Sequence, residues 1–171
     1  MLKRIAALGV MLVMMFGFAG CGGGNVIGFN VALENTSSAS RHNHALFTIV
    51  NSTEELEAAC NDRYTTEIDA NNQIVPLDYY LREMTKNYDE AFFSDKALVL
   101  YLCSEPNGGN SIIINSLTIK NKVLTVNTTR FVPRGNSPAV MVYWTFIIEV
   151  NKSEITEITD IKINIKTKET N

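Results

Sequence analysis

The sequence of 171 residues has little of what marks the more specialised classes of protein. It contains two histidines, three cysteines, one tryptophan, and too few prolines and glycines (four and ten) for a collagen-like or low-complexity chain. Its net charge of −3, from 15 basic and 18 acidic residues, gives no electrostatic footprint for nucleic acid, so we expect no nucleic-acid partner. The hydrophobic share of 46% is sufficient for the core of one globular domain.

Patterns typical of catalytic and metal sites are also missing. His42 and His44 are the only histidines, and a zinc site needs three or four ligands, so we interpret them as solvated side chains. There is no Gly-x-Ser-x-Gly motif, and the predicted folded part has no histidine that could act as a base for a serine or cysteine nucleophile. Gly108 and Gly109 lie between predicted strands, without the following helix that a phosphate-binding loop requires. The sequence therefore predicts no enzyme, no cofactor and no metal.

The first 20 residues have the pattern of a secretory signal peptide. Lys3 and Arg4 precede an apolar run that begins at Ile5, and small residues follow it. The 16 residues from Ile5 to Gly20 are too few for a transmembrane helix, which needs about 20.

The end of this segment, Phe18-Ala19-Gly20-Cys21, resembles the lipobox of bacterial lipoproteins. The resemblance implies that the Cys21 thiol receives a diacylglyceryl group and that Cys21 becomes the first residue of the mature protein. Several acyl chains, such as palmitate, would anchor the protein stably in the lipid bilayer. A plain secreted protein with an incidental cysteine is the alternative. We expect a lipid-anchored protein on the extracytoplasmic face of the membrane, in the cell envelope.

Residues 21–44 have the composition of a flexible linker. Glycine, asparagine and serine predominate, although the apolar patch from Val26 to Leu33 could form a strand that docks on the domain. Removing residues 1–20 leaves a net charge of −5, which predicts that the domain stands off an anionic membrane. The folded domain is predicted to occupy residues 45–171.

The remaining pattern predicts an α+β fold, with a mainly antiparallel sheet of about five to six strands and two helices packed on it. Ser52 and Glu55 form a capping box that begins a helix ending near Asn61, and Pro76 precedes a second helix from Leu77 to about Tyr88. Strands are predicted by apolar or alternating segments at residues 46–50, 97–103, 111–119, 123–131 and 139–150. The segment 161–166 alternates isoleucine with polar residues, mostly lysine, which is typical of a protected edge strand.

Exposed aromatic residues and one loop are the candidates for binding a partner. Tyr79 and Tyr80 lie on the second predicted helix. Tyr143 and its neighbour Trp144 point to opposite faces of the long predicted strand. Arg134 lies in a proline-bounded loop, residues 133–138. Cys60 and Cys103 could form a disulfide in an exported protein, or remain separate buried thiols. We favour separate thiols.

Three segments together resemble the PrcB-type C-terminal domain, named after an accessory subunit of a surface protease complex. They are FTIVNSTEEL from Phe47, FFSDKALVL from Phe92, and PAVMVYWTFIIEVNK from Pro138. The resemblance implies a non-catalytic domain that contacts another exported protein, such as a surface protease, and it carries over no catalytic residue. We expect a lipid-anchored interaction or protease-accessory module; the alternative is a surface receptor for a small ligand such as a peptide or an envelope glycan.

Overall fold

The computed structural model describes residues 24–37, 46–61, 67–68, 74–75, 77–135 and 140–170. The predicted signal peptide, Cys21 and both histidines lie outside these residues. In chain order the described elements are β1 (Asn25–Ile27), β2 (Phe29–Ser37), β3 (Leu46–Val50), α1 (Thr53–Asn61), β4 (Glu67–Ile68), β5 (Ile74–Val75), α2 (Leu77–Thr85), a 3₁₀ turn (Phe92–Ser94), β6 (Lys96–Glu105), β7 (Ser111–Lys120), β8 (Val123–Pro133), β9 (Val142–Asn151), α3 (Lys152–Ile155) and β10 (Asp160–Thr170).

Two four-stranded sheets pack face to face. Sheet A has the strand order β1-β7-β8-β10, and sheet B has the order β2-β9-β6-β3. β4 and β5 pair with each other in a separate two-stranded ribbon. The core between the sheets contains these fully buried side chains: Ala97, Val99, Leu117, Leu124, Val126, Phe146 and Ile148.

Sheet B is the middle layer of the molecule because its central strands are buried on both faces. In β6, Val99 and Tyr101 point into the core between the sheets, whereas Leu98 and Leu100 point toward the helices. The second core, on the helix side, adds Leu56 of α1 and Leu81 of α2. This double burial explains why β6 reads as a continuous apolar run and not as an alternating one.

The prediction of an α+β fold built on one sheet is wrong. Strand makes up 58% of the structure described, eight strands lie in two sheets, and the three helices are short. Both predicted helices exist, as α1 and α2, but they cover only one face of sheet B. The alternating patterns identified strands correctly, yet alternation does not reveal whether an apolar face packs on a helix or on a second sheet.

The prediction of a flexible linker over residues 21–44 is wrong for β1 and β2. β1 pairs antiparallel with β7 at the edge of sheet A, and β2 pairs antiparallel with β9 at the edge of sheet B. Gly28 separates the two strands, so the chain passes there from one sheet to the other. Buried Ile27 and half-buried Val31 contribute to the core between the sheets, which explains how a polar, glycine-rich segment becomes ordered.

The last strand is an edge strand, as its lysines predicted, but its direction is unexpected. β10 runs parallel to β8, with Asp160 opposite Val123 and Thr170 opposite Pro133. The chain leaves sheet B at the end of β9 and reaches sheet A through α3. The other described strand pairs are antiparallel, as expected, and the expectation failed for this pair because it assumed that successive strands are neighbours in one sheet.

The hairpin between β7 and β8 turns through Asn121 and Lys122, which both have positive φ values, 52° and 63°. This is the geometry of a type I′ turn, for which Asn-Gly is the favoured pair. Lys122 therefore occupies a position where a side chain costs conformational energy.

We expect Lys122→Gly to raise the free energy of unfolding by about 0.5–1 kcal/mol, because glycine adopts positive φ without that cost. The Lys122 side chain also forms an exposed ion pair with Glu157, at 3.4 Å, whose loss should cost little. Urea denaturation of the variant and the parent measures the difference. Lys120→Gly, in a strand at the same turn, is the control and should destabilise; a loss of stability in Lys122→Gly would contradict the assignment of the turn.

Candidate functional site

Strand β3, at the edge of sheet B, has neither the charged residues and prolines nor the bulges that often protect sheet edges. Among the described residues it pairs with β6 alone, with Leu46 opposite Leu102 and Val50 opposite Leu98. Its five residues, LFTIV, contain no charge, no proline and no bulge. β10, at the edge of sheet A, has three lysines in comparison. An uncharged strand with one free side is a template for another strand.

A groove of about 390 Å³ runs between β3 and helix α1. It is lined by Leu46, Thr48, Ile49, Val50, Asn51, Glu55, Ala58 and Ala59. The short side chains of Ala58 and Ala59 leave space on the helix side of the groove. On the other side, β3 offers the backbone N–H and C=O groups of its unpaired edge. A helix beside a free strand edge is the geometry in which an extended peptide is recognised by strand addition.

The corner between β3 and α1 is held by hydrogen bonds that the sequence predicted in part. The Glu55 N–H donates to Ser52 Oγ at 3.2 Å, and the Asn51 N–H donates to Glu55 Oε2 at 2.7 Å. This confirms Ser52 and Glu55 as the helix-capping residues. Lys152 Nζ donates to the carbonyl oxygens of Asn51 and Phe93 at 2.9 and 3.0 Å. The lysine thereby fixes the groove's end to the start of α3.

The residues predicted to bind a partner lie on three different parts of the chain: α2, β9 and the segment after β8. Tyr79 and Tyr80 lie in α2, but their side chains are outside the part that the structure describes. Half-buried Tyr143 lies in β9, opposite Ser104 in the sheet. Arg134 follows β8 of sheet A, where its Nε donates to Glu169 Oε2 at 3.1 Å. Residues 136–139 of the predicted recognition loop are also outside the described residues.

At one end of the core between the sheets, four polar or aromatic residues form a cluster that we call the polar corner: Glu105, Asn110, Arg130 and Trp144. Glu105 on β6 forms an ion pair across the sheets with Arg130 on β8, and it accepts a 2.7 Å hydrogen bond from Asn110 Nδ2. Asn110 Oδ1, Arg130 Nε and Trp144 Nε1 are buried without a hydrogen-bond partner in the described structure. Sequence reasoning missed this cluster, because Arg130 and Trp144 are distant along the chain from Glu105 and Asn110.

Cys60 and Cys103 are thiols and form no disulfide with each other. Cys60 belongs to the core on the helix side of sheet B, whereas Cys103 packs on the core between the sheets. Sheet B thus lies between the two thiols, which rules out the disulfide between Cys60 and Cys103 that the sequence left open. Burial raises the pKa of the Cys103 thiol to about 11, so it is protonated near neutral pH.

In the residues described, no group of three or more His, Cys, Asp or Glu side chains could hold a metal ion. No helix in that part of the chain is long and apolar enough to cross a membrane. Comparisons with protein-family models, with curated proteins and with solved structures found no match.

Breaking the ion pair of the polar corner should destabilise the protein. Glu105→Leu leaves the Arg130 guanidinium in a mostly buried position without its carboxylate, and we expect the free energy of unfolding to fall by about 2–4 kcal/mol. Fluorescence of Trp144, the only tryptophan, reports unfolding in urea.

The double variant Glu105→Leu/Arg130→Met serves as the control, because it removes both charges and retains the apolar contacts. We expect it to recover more than half of the lost stability. Equal stability of the single and the double variant would show that leaving the Arg130 charge without its carboxylate costs nothing in this corner.

Proposed function

We propose that this protein is a lipid-anchored, extracytoplasmic interaction module without catalytic activity, of the protease-accessory type that the PrcB-like segments suggest. The anchor would be a diacylglyceryl group on Cys21 after removal of residues 1–20. The lipobox-like Phe18-Ala19-Gly20-Cys21 supports this part of the proposal. The free edge of β3 beside α1 is the observation that carries the interaction part.

The occupant that best fits the groove is an extended segment of another exported protein. Its backbone would pair with the free side of β3, and alternate side chains would point toward the low wall formed by Ala58 and Ala59. Five residues in β3 set the length of the paired segment at about five residues. Because affinity in this mode comes largely from main-chain hydrogen bonds, it tolerates several sequences.

The charges near the groove favour a neutral or basic segment and disfavour a second copy of this chain. Helix α1 carries Glu54, Glu55 and Glu57 and no basic residue. Hydrogen bonds to its own backbone N–H and to Ser52 lower the pKa of Glu54, so this exposed carboxylate is ionised at neutral pH. Two copies paired through β3 would bring two acidic α1 helices together.

The alternative function, a receptor for a small ligand, has one observation in its favour. The polar corner contains two buried donors, Arg130 Nε and Trp144 Nε1, and one buried acceptor, Asn110 Oδ1, that have no hydrogen-bond partner among the described residues. These atoms are beneath the surface, however, whereas the groove beside β3 is open to a partner. We therefore favour the protein partner.

The lipid anchor predicts that Cys21→Ser abolishes membrane attachment. Without the thiol no acyl chains can be added, so the variant should leave the membrane fraction or retain its signal peptide. Intact mass and detergent partitioning measure this, with Cys103→Ala as the matched control that should behave as the parent. An unlipidated mature protein, or a different mature N-terminus in the parent, would refute the anchor.

The groove predicts where a partner can be captured. A photo-crosslinking benzoylphenylalanine in place of Ala58 should form an adduct with another exported protein, and Thr48→Lys in the same chain should abolish it by placing a charge on the free edge. Thr167→Lys makes the same change on β10 and should leave the adduct intact. No adduct, an adduct with a second copy, or equal effects of the two lysines would each refute the docking edge.

A further inference from the structure

The outer face of sheet A, which we call the lysine face, is exposed and basic. It is formed by the outward side chains of β1, β7, β8 and β10, and no described helix packs on it. Its cations are Lys120 of β7 and Lys162, Lys166 and Lys168 of β10, all exposed. Its one carboxylate within the described residues, Asp160, lies at the start of β10, 3.4 Å from Lys162 Nζ.

Three of these lysines, Lys120, Lys166 and Lys168, have no ion-pair partner among the described residues, whereas Lys162 pairs with Asp160. Lys166 and Lys168 lie opposite Thr129 and Phe131 of β8, and Lys168 Nζ lies 5.9 Å from the centre of the Phe131 ring. Two apolar side chains on the same face are also exposed, Val26 by 59% and Ile113 by 48%. Unpaired cations next to exposed apolar groups suit an anionic surface with an apolar layer beneath it.

The opposite side of the molecule has the opposite charge. Exposed carboxylates of the helix layer include Glu54, Glu57, Glu83 and Glu90. From Ser111 to Arg134, by contrast, the sequence has four basic residues and no acidic one. The small net charge is therefore the sum of two unlike surfaces, a basic sheet face and an acidic helix layer.

The position of the proposed anchor brings the lysine face close to the membrane. β1 begins at Asn25, four residues after Cys21, and Asn25 pairs with Ile119 beside the β7–β8 hairpin. Gly24 is already packed on β7, since a Cβ added there would lie 3.3 Å from the Ile119 oxygen. Four extended residues span at most about 14 Å. This reach is within about two Debye lengths at physiological ionic strength, so Lys120 and Lys162, at the tethered end of the face, are near enough to be attracted by lipid charges.

We infer that the lysine face lies flat on an anionic phospholipid surface, with the acidic helix layer pointing away from it. This inference rests on the proposed anchor at Cys21, and it replaces the expectation, drawn from net charge alone, that the domain stands off the membrane. The tether alone would also allow contact through the hairpin end. Lys166 and Lys168 distinguish the two arrangements, because they lie along the face and away from the hairpin.

The test uses the full lipidated chain in vesicles of phosphatidylcholine, with or without an equal part of phosphatidylglycerol, containing a headgroup-attached quencher. A fluorophore is attached to one introduced cysteine in each of three variants. Ile113→Cys places it on the lysine face far from the tether, and Val26→Cys places it near the tether. Glu90→Cys places it on the helix layer. The unsubstituted chain measures background labelling of Cys60 and Cys103. We expect strong quenching at Ile113 and Val26 in anionic vesicles and little at Glu90.

Neutralising two lysines tests whether the charge of the lysine face causes its contact with the lipid surface. Lys166→Gln/Lys168→Gln should reduce the quenched fraction at Ile113 by about tenfold, as should vesicles without phosphatidylglycerol. Arg82→Gln/Lys86→Gln removes two charges from the helix layer and should leave the quenched fraction at Ile113 unchanged. Quenching at Val26 without quenching at Ile113, or quenching that is independent of lipid charge, overturns the inference while leaving the anchor intact. Failure of the chain to stay on any vesicle refutes the proposed anchor instead.

Discussion

The burial of strand β6 on both of its faces is the constraint on which the rest of this structure depends. The residues from Ala97 to Leu102 are all nearly inaccessible to solvent, so each face of sheet B needs a cover. Sheet A covers one face and the helices cover the other. On the face of sheet B that packs on sheet A, the rings of Tyr101 and Trp144 each stack on Phe146, with ring centroids 5.5 and 5.7 Å apart, and these contacts lie within sheet B.

This layered arrangement determines which surfaces remain for function. Because the described residues cover only one face of sheet A, its outer face is an exposed polar and basic surface within that part of the chain. Because β3 is the last strand of sheet B and α1 follows it directly, the strand's free side is next to a helix. The groove and the lysine face therefore lie on different layers, so a lipid surface and a protein segment would not compete.

The sequence predicted individual elements better than it predicted their arrangement. The capping pair Ser52 and Glu55, the lysines of β10 and the alternation in β9 are local signals, and each identified its element. The second sheet depends on what covers each apolar face, which is not encoded locally. β1 and β2 were obscured for a related reason: their glycine- and asparagine-rich composition suggests flexibility, and only pairing with β7 and β9 orders them. The groove had one available signal, the absence of charge in LFTIV, but this signal has meaning only once β3 is known to be an edge strand.

The position of β1 also changes what the net charge implies about contact with a membrane. If residues 21–44 were a long flexible spacer, a domain with a net charge of −5 would be expected to move away from an anionic surface. With β1 beginning at Asn25 the spacer shortens to a few residues, and the charge nearest the bilayer decides the interaction. Under the proposed anchor that local charge is positive, because Lys120 and Lys162 face outward from sheet A near the start of β1. If Cys21 carries the proposed anchor, the short spacer before β1 and the lysine face favour the same orientation, in which the acidic helices and the groove beside β3 are left accessible to proteins.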